Sequence, residues 1–184
     1  SVISPLMIAA YVGLVLAVQS YDQLRAAGFE QQMGVLLTIT LVQELGPVLA
    51  GLMVAGRVGA SIAAELGTMR VTEQIDALVT LATNPFKYLV GPRILAAVIT
   101  LPLLVAIGDT IGIMGGYIVG TRSLDFNGAA YIKNTVDFLE VDDVTSGLIK
   151  AAVFGFIIAV MGCYHGFNSK GGAAGVGRAT TNAV

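Results

Sequence analysis

The stretch LVQELGPVLAGLMVAGRVGAS, residues 41–61, decides how this chain is read. It is apolar enough to cross a membrane, yet it carries Glu44 and, two residues on, the pair Gly46-Pro47. A carboxylate in hydrocarbon is costly. A proline inside a helix removes a backbone donor and crowds the preceding turn. Two such penalties side by side mark a site, because an ordinary span carries neither.

The surrounding composition supplies the solvent. Of the 184 residues, 55% are hydrophobic and 12% charged, where soluble domains carry about 25% charged residues. The mean hydropathy is +0.82. One small core cannot bury this much apolar surface, so lipid is the medium for most of it. A formal net charge of -2 excludes a basic nucleic-acid surface as the main theme. Trp is absent, which leaves Tyr and Phe as interfacial aromatics. The single Cys163 and single His165 offer neither a disulfide framework nor a metal cluster, and each reads as packed or interfacial. The chain opens at Ser1 directly on apolar sequence, which reads as a protein lacking its front end.

Four apolar segments are long enough to span: Val2–Gln19, Gly34–Ala64, Ile94–Gly120 and Val144–Phe167. Open strands are not viable in lipid, so the spans are predicted to be helices. The expected fold is an all-α polytopic transmembrane bundle with four visible spans and an amphipathic cytoplasmic elbow. Lys and Arg number six on the side holding 65–93 and 168–184 (counting Arg57 at its edge) and three on the other, with Lys150 inside the fourth span. The excess places those two segments in the cytoplasm. Each span repeats small residues at every fourth position, for example Gly51, Ala55, Gly59 and Ala63, or Gly147, Ala151, Gly155 and Ala159. Such stripes let membrane helices approach closely.

At 100° per residue, Glu44 should lie within about 20° of Gly51 and Ala55, facing packed protein or a cavity rather than lipid. Pro47 cannot donate to the Gln43 carbonyl, so a polar notch is expected beside Glu44. The first span ends with Leu14, Val18 and Tyr21 on one face. With Glu44 these would make an apolar pocket with one polar lip, suited to an amphipathic ligand. Asp109, near the Gly112 and Gly116 face, is the weaker candidate and reads as glue between helices.

Residues 62–83 are too polar to span. Val71, Ile75, Leu78 and Ala82 repeat at helical spacing, with Gly67 predicted to divide two helical pieces. Asn84-Pro85 reads as an N-cap followed by proline in the first turn. The resulting elbow is what a membrane subunit needs to receive force from a cytoplasmic motor. Ala129, Ile132, Val136 and Leu139 predict a short amphipathic helix between the third and fourth spans. GAAGVGRA, residues 172–179, has phosphate-loop glycine spacing but offers Arg178-Ala179 where Lys-Ser/Thr is required, and no strand precedes it.

Taken together, QELGPVLAGLMVAGRVGASIAAELGTMRVTEQIDAL, NPFKYLVGPRILA and GRATTNAV resemble the MlaE/YrbE family of bacterial ABC-transporter permeases, whose plant relative is the chloroplast lipid-import permease. The resemblance covers nearly the whole chain, as a single permease domain over 1–184 with its N- and C-terminal parts missing. The family typically has an N-terminal interfacial helix and five spans. The resemblance implies a homodimeric, multi-pass protein of the bacterial inner membrane. It would move phospholipid between that membrane and a periplasmic MCE-domain partner of the MlaD type, maintaining outer-membrane lipid asymmetry. A cytoplasmic ATPase of the MlaF type would hold the ATP and magnesium, with a STAS-domain subunit of the MlaB type often present. This chain would itself hold no cofactor or metal, catalyse no reaction and bind no nucleic acid. The lipid cavity would use Leu14, Val18, Tyr21, Gln43, Glu44 and Pro47, and the ATPase would dock around Glu65, Met69, Arg70, Glu73 and Asp76. Many relatives carry Arg where this chain has Gln43, so a positive charge must come from elsewhere. The alternative function is an ion-coupled secondary transporter or channel fragment using Glu44 and Asp109.

Overall fold

The computed structural model describes residues 7–8, 10–12, 14–15, 18–19, 33–122 and 127–184. Every regular element among them is helical. Three helices among the described residues have the length and composition to cross a membrane: Val35–Val71, Phe86–Arg122 and Val141–Phe167. This is a multi-pass membrane protein. The described positions between 7 and 19 are helical as well, and the remainder of the expected first span lies outside the described residues.

The long helices wear their apolar residues outward. On Phe86–Arg122, Leu95, Ile99, Leu103 and Ile107 are all at least half exposed and recur at every fourth position. In water that stripe would demand a partner; in hydrocarbon it is an ordinary solvated face. Thr100, Thr110 and Thr121 on the same helix each return their hydroxyl to the carbonyl four residues back, so none of the three leaves a donor open to lipid.

Among the described residues, three wide turns interrupt the helices. At Leu41–Leu45, Ala55–Gly59 and Phe86–Val90 the closing N–H reaches a carbonyl five residues back instead of four, from Gly46 to Leu41, Ala60 to Ala55 and Gly91 to Phe86. Each wide turn absorbs one extra residue and rotates the rest of the helix about its axis. Gly51 is buried, while the Glu44 side chain, expected to face packed protein or a cavity, is 65% exposed.

The chain divides into two compact units, one comprising 1–50 and 103–150, the other 51–102 and 151–184. In the first, Met33–Thr40 packs against the short helix Gly128–Phe138. Asn127 caps that helix, its Oδ1 accepting from the N–H groups of Ala129 and Ala130 at 3.0 and 3.3 Å. The buried face of this helix is Tyr131 and Thr135, not the predicted stripe, since Ile132 and Val136 are 51% and 67% exposed. Tyr117 and Tyr131 meet edge to face with centroids 5.6 Å apart.

In the second unit, Ala60–Val71 runs unbroken through Gly67, and the predicted division there does not occur. Gly67 is instead a contact point, where an added Cβ would stand 3.2 Å from Ser169 Oγ and 3.3 Å from Val176. Gly172–Asn182, the segment with phosphate-loop spacing, is a helix packed on Ala60–Val71. The small-residue stripes do serve close approach: Ala63, Ala151 and Ala159 are fully buried, and a Cβ on Gly155 would stand 2.6 Å from the Ala97 carbonyl oxygen.

Candidate functional site

The broken turn around Glu44 is built by Pro47. Proline brings no N–H, and the Gly46 N–H is already spent on Leu41. The carbonyls of Val42 and Gln43 therefore both lose their usual helical donor. The helix Val141–Phe167 answers with three residues spaced to share one face: Asp143, Gly147 and Lys150. Asp143 Oδ1 accepts from Gln43 Nε2. Gly147 comes so close that any Cβ there would meet the Val42 carbonyl oxygen. Lys150 Nζ donates to the Gln43 carbonyl at 3.0 Å and to Glu44 Oε1 at 2.7 Å.

The expected polar notch is thus present, and a cation occupies it. Lys150 and Glu44 keep 39% and 65% of their side-chain surface exposed, so the pair lines a surface instead of closing a core. Pro47 is fully buried beneath it. The sequence reading placed Lys150 inside the fourth span but did not pair it with Glu44, because it sits seven residues from the nearest charge, Asp143, within an apolar run. A lysine at the same depth as a lone glutamate is the signal that could have found it. Asp143 is further fixed by its second oxygen, which accepts the Glu140 N–H at 3.2 Å at the start of the helix.

The remaining expected lip residues fare differently. Leu14 and Val18 are on helical backbone and are 42% and 52% exposed, while Tyr21 lies outside the described residues. Asp109 is buried, with its Oδ1 lying where a side chain at Gly46 would begin.

At the elbow the five expected docking residues part company. Arg70 and Asp76 pair at 2.7 Å across the break between helices, both well exposed. That break is Thr72–Glu73, where Glu73 takes a left-handed φ of 59° and Gln74–Thr80 begins. Glu65 turns to Arg93 at 3.0 Å, and Arg93 also donates to the Leu89 carbonyl at 2.9 Å. Met69 packs inward against the cluster of Ile62, Leu66, Ile75, Leu89 and Cys163, so it is a core residue more than a docking one. Of the expected stripe, Ile75 is buried and Leu78 half-buried, but Val71, before the left-handed Glu73, and Ala82, itself left-handed with φ 57° beyond Gln74–Thr80, face outward. The large apolar residues this elbow exposes most are Val79 and Leu81, at 56% and 74%. Asn84 Oδ1 accepts from the N–H groups of Phe86 and Lys87 at 3.0 and 3.4 Å, the predicted cap. Beyond it an apolar groove of about 220 Å³ runs between Phe86, Val90 and Ile94 on one helix and Val160, Cys163 and Phe167 on another.

The chain matches the family described as Permease MlaE over residues 1–184. A probable ABC transporter permease protein of Rickettsia felis is 61% identical over 174 residues, covering 95% of this chain and 67% of that protein. One from Synechocystis is 41% identical over 179 residues, covering 97% and 68%. The chloroplastic protein TRIGALACTOSYLDIACYLGLYCEROL 1 of Arabidopsis thaliana is 35% identical over 179 residues, covering 97% of this chain and 51% of that protein. The chain spans about two thirds of the bacterial relatives. With a helical membrane fold, a polar break inside a span and an elbow between spans, it belongs to the MlaE family of ABC-transporter permeases.

Proposed function

We propose that this permease moves phospholipid, and that the notch formed by Gln43, Glu44 and Lys150 is the polar lip of its lipid-binding cavity. One observation carries the reading: Lys150 Nζ is held at the membrane-embedded break by Glu44 and by a carbonyl that Pro47 has stripped of its donor. A cation so anchored, still 39% exposed, is suited to an anionic phosphate headgroup, with the apolar helix faces around it suited to acyl chains. It also supplies the positive charge that Gln43 does not. The name of the Arabidopsis relative refers to a glycerolipid, which is consistent with a lipid substrate.

In this reading the protein works as a homodimer in the bacterial inner membrane. Its elbow, through Arg70, Asp76 and the exposed Val79 and Leu81, seats the ATPase that an ABC permease requires. A periplasmic MCE-domain protein exchanges lipid with it, and a STAS-domain subunit accompanies the ATPase. ATP and magnesium belong to that ATPase. Against the ion-coupled alternative stand the engagement of Glu44 by Lys150 and the relatives' names as ABC transporter permeases.

The test is phospholipid transfer by the full-length complex in proteoliposomes. Lys150→Ala and Glu44→Ala should each lower transfer about tenfold, the loss of one charge-assisted contact, with the complex intact. Transfer at the wild-type rate in both variants would overturn the reading.

A further inference from the structure

We propose that Asp109 is a positioning residue for the broken turn: its carboxyl group occupies the place that Gly46 leaves empty, and so sets where the turn presents Glu44 and the Gln43 carbonyl. The inference deepens the lip reading and rests on it for its functional consequence. Asp109 is 9% exposed and lies within the membrane helix Phe86–Arg122. A Cβ built on Gly46 would clash with Asp109 Oδ1 and stand 2.8 Å from Asp109 Cγ. The same point is 2.8 Å from the Leu41 carbonyl oxygen, the acceptor that closes the wide turn. Carboxyl and turn are therefore packed on one backbone atom, and Gly46 is glycine because that place is already taken.

An apolar side chain would fill this space without the cost of burying polar atoms in hydrocarbon. A carboxyl group instead sets its oxygens against the backbone at Gly46, the residue whose N–H closes the wide turn. The turn is then gripped from two helices, by Asp109 at Gly46 and by Gly147 and Lys150 at the two carbonyls. A wide turn is adjustable by nature. Gripping it is what turns a weak point of the helix into a fixed lip.

The test is hydrogen exchange by mass spectrometry over residues 41–48, on the full-length complex in lipid nanodiscs. Asp109→Ala should speed exchange there at least about fivefold while residues 60–71 stay unchanged. Asp109→Asn, which keeps shape and polarity, should stay near wild type. Gly46→Ala should loosen the turn as Asp109→Ala does, and the pair Gly46→Ala/Asp109→Ala should recover protection, because the methyl takes the vacated place. Wild-type exchange in Asp109→Ala would overturn the proposal, as would a pair no better protected than either single variant. Should Gly46→Ala fail to fold, the Asp109→Ala and Asp109→Asn results decide alone. Lipid transfer separates the two readings. If Lys150→Ala and Glu44→Ala both transfer lipid normally while Asp109→Ala loosens the turn, the lip reading fails and the positioning role stands. If Glu44→Ala is impaired and Asp109→Ala leaves exchange unchanged, only the positioning role fails.

Discussion

Lys150 Nζ lies 2.7 Å from Glu44 Oε1 and 3.0 Å from the Gln43 carbonyl oxygen, so one ammonium group serves both an ion pair and an orphaned backbone acceptor. The two bonds differ in worth. A partly exposed ion pair contributes about 0–1 kcal/mol, whereas a carbonyl left without a donor costs about 1–3 kcal/mol.

That difference gives the first prediction. Glu44→Gln should cost under about 1 kcal/mol of stability, because Lys150 still covers the Gln43 carbonyl. Lys150→Met should cost about 1–3 kcal/mol, because that carbonyl is then stranded. Thermal unfolding of the full-length protein in mild detergent, ranked between the two variants, checks the order.

Gly147 meets the Val42 carbonyl so closely that no side chain fits. Gly147→Val should destabilise by about 1–3 kcal/mol through overpacking against backbone, which cannot rotate away as a side chain can. Gly56, where an added Cβ meets nothing within 4 Å, is the control, and Gly56→Ala should fold as wild type. Yield of folded protein after detergent extraction reads both.

At the elbow, anchoring and docking should separate. Ile75 is 2% exposed and ties Gln74–Thr80 to the cluster of Ile62, Leu66 and Leu89. Ile75→Ala should cost about 2–5 kcal/mol. Leu81, at 74% exposure, is no part of that cluster. Leu81→Asp should leave stability within about 0.5 kcal/mol while weakening co-purification of the ATPase. Equal stability losses in the two variants would contradict this division.

Tyr131, in the helix Gly128–Phe138, is 5% exposed, and its hydroxyl has no hydrogen-bond partner among the described residues. Burial pushes its pKa up to about 12. Since the unfolded phenol ionises near pH 10, this contribution to stability is constant below pH 10 and is lost as pH rises toward 12. Tyr131→Phe should remove that alkaline decline and leave neutral-pH stability equal or slightly higher. Denaturant titrations at pH 7 and pH 11 on both proteins measure it.

Much of the architecture was legible from residue types alone. They dictate the medium: a 32-residue helix whose exposed face is Leu, Ile and Met is stable only in hydrocarbon. Asn84-Pro85 dictated a cap because side-chain oxygen and missing N–H act within one turn. Pro47 dictated an orphaned carbonyl for the same local reason. Where reading failed, it failed by register. The wide turns at Leu41–Leu45 and Ala55–Gly59 depend on one N–H choosing between two acceptors, and each choice rotates every residue after it. Glu73 turned the elbow where Gly67 was expected to, because Gly67 is held straight by packing against Ser169 and Val176.

The sequence by itself determined the solvent, the helices and the break beside Pro47, since each arises from side-chain chemistry acting over a few residues. Only the tertiary structure decided what fills the break. Lys150 stands 106 residues from Glu44, and Asp109 stands 63 residues beyond Gly46. Such pairings are set by how helices pack across the bundle, and no local spacing rule encodes them.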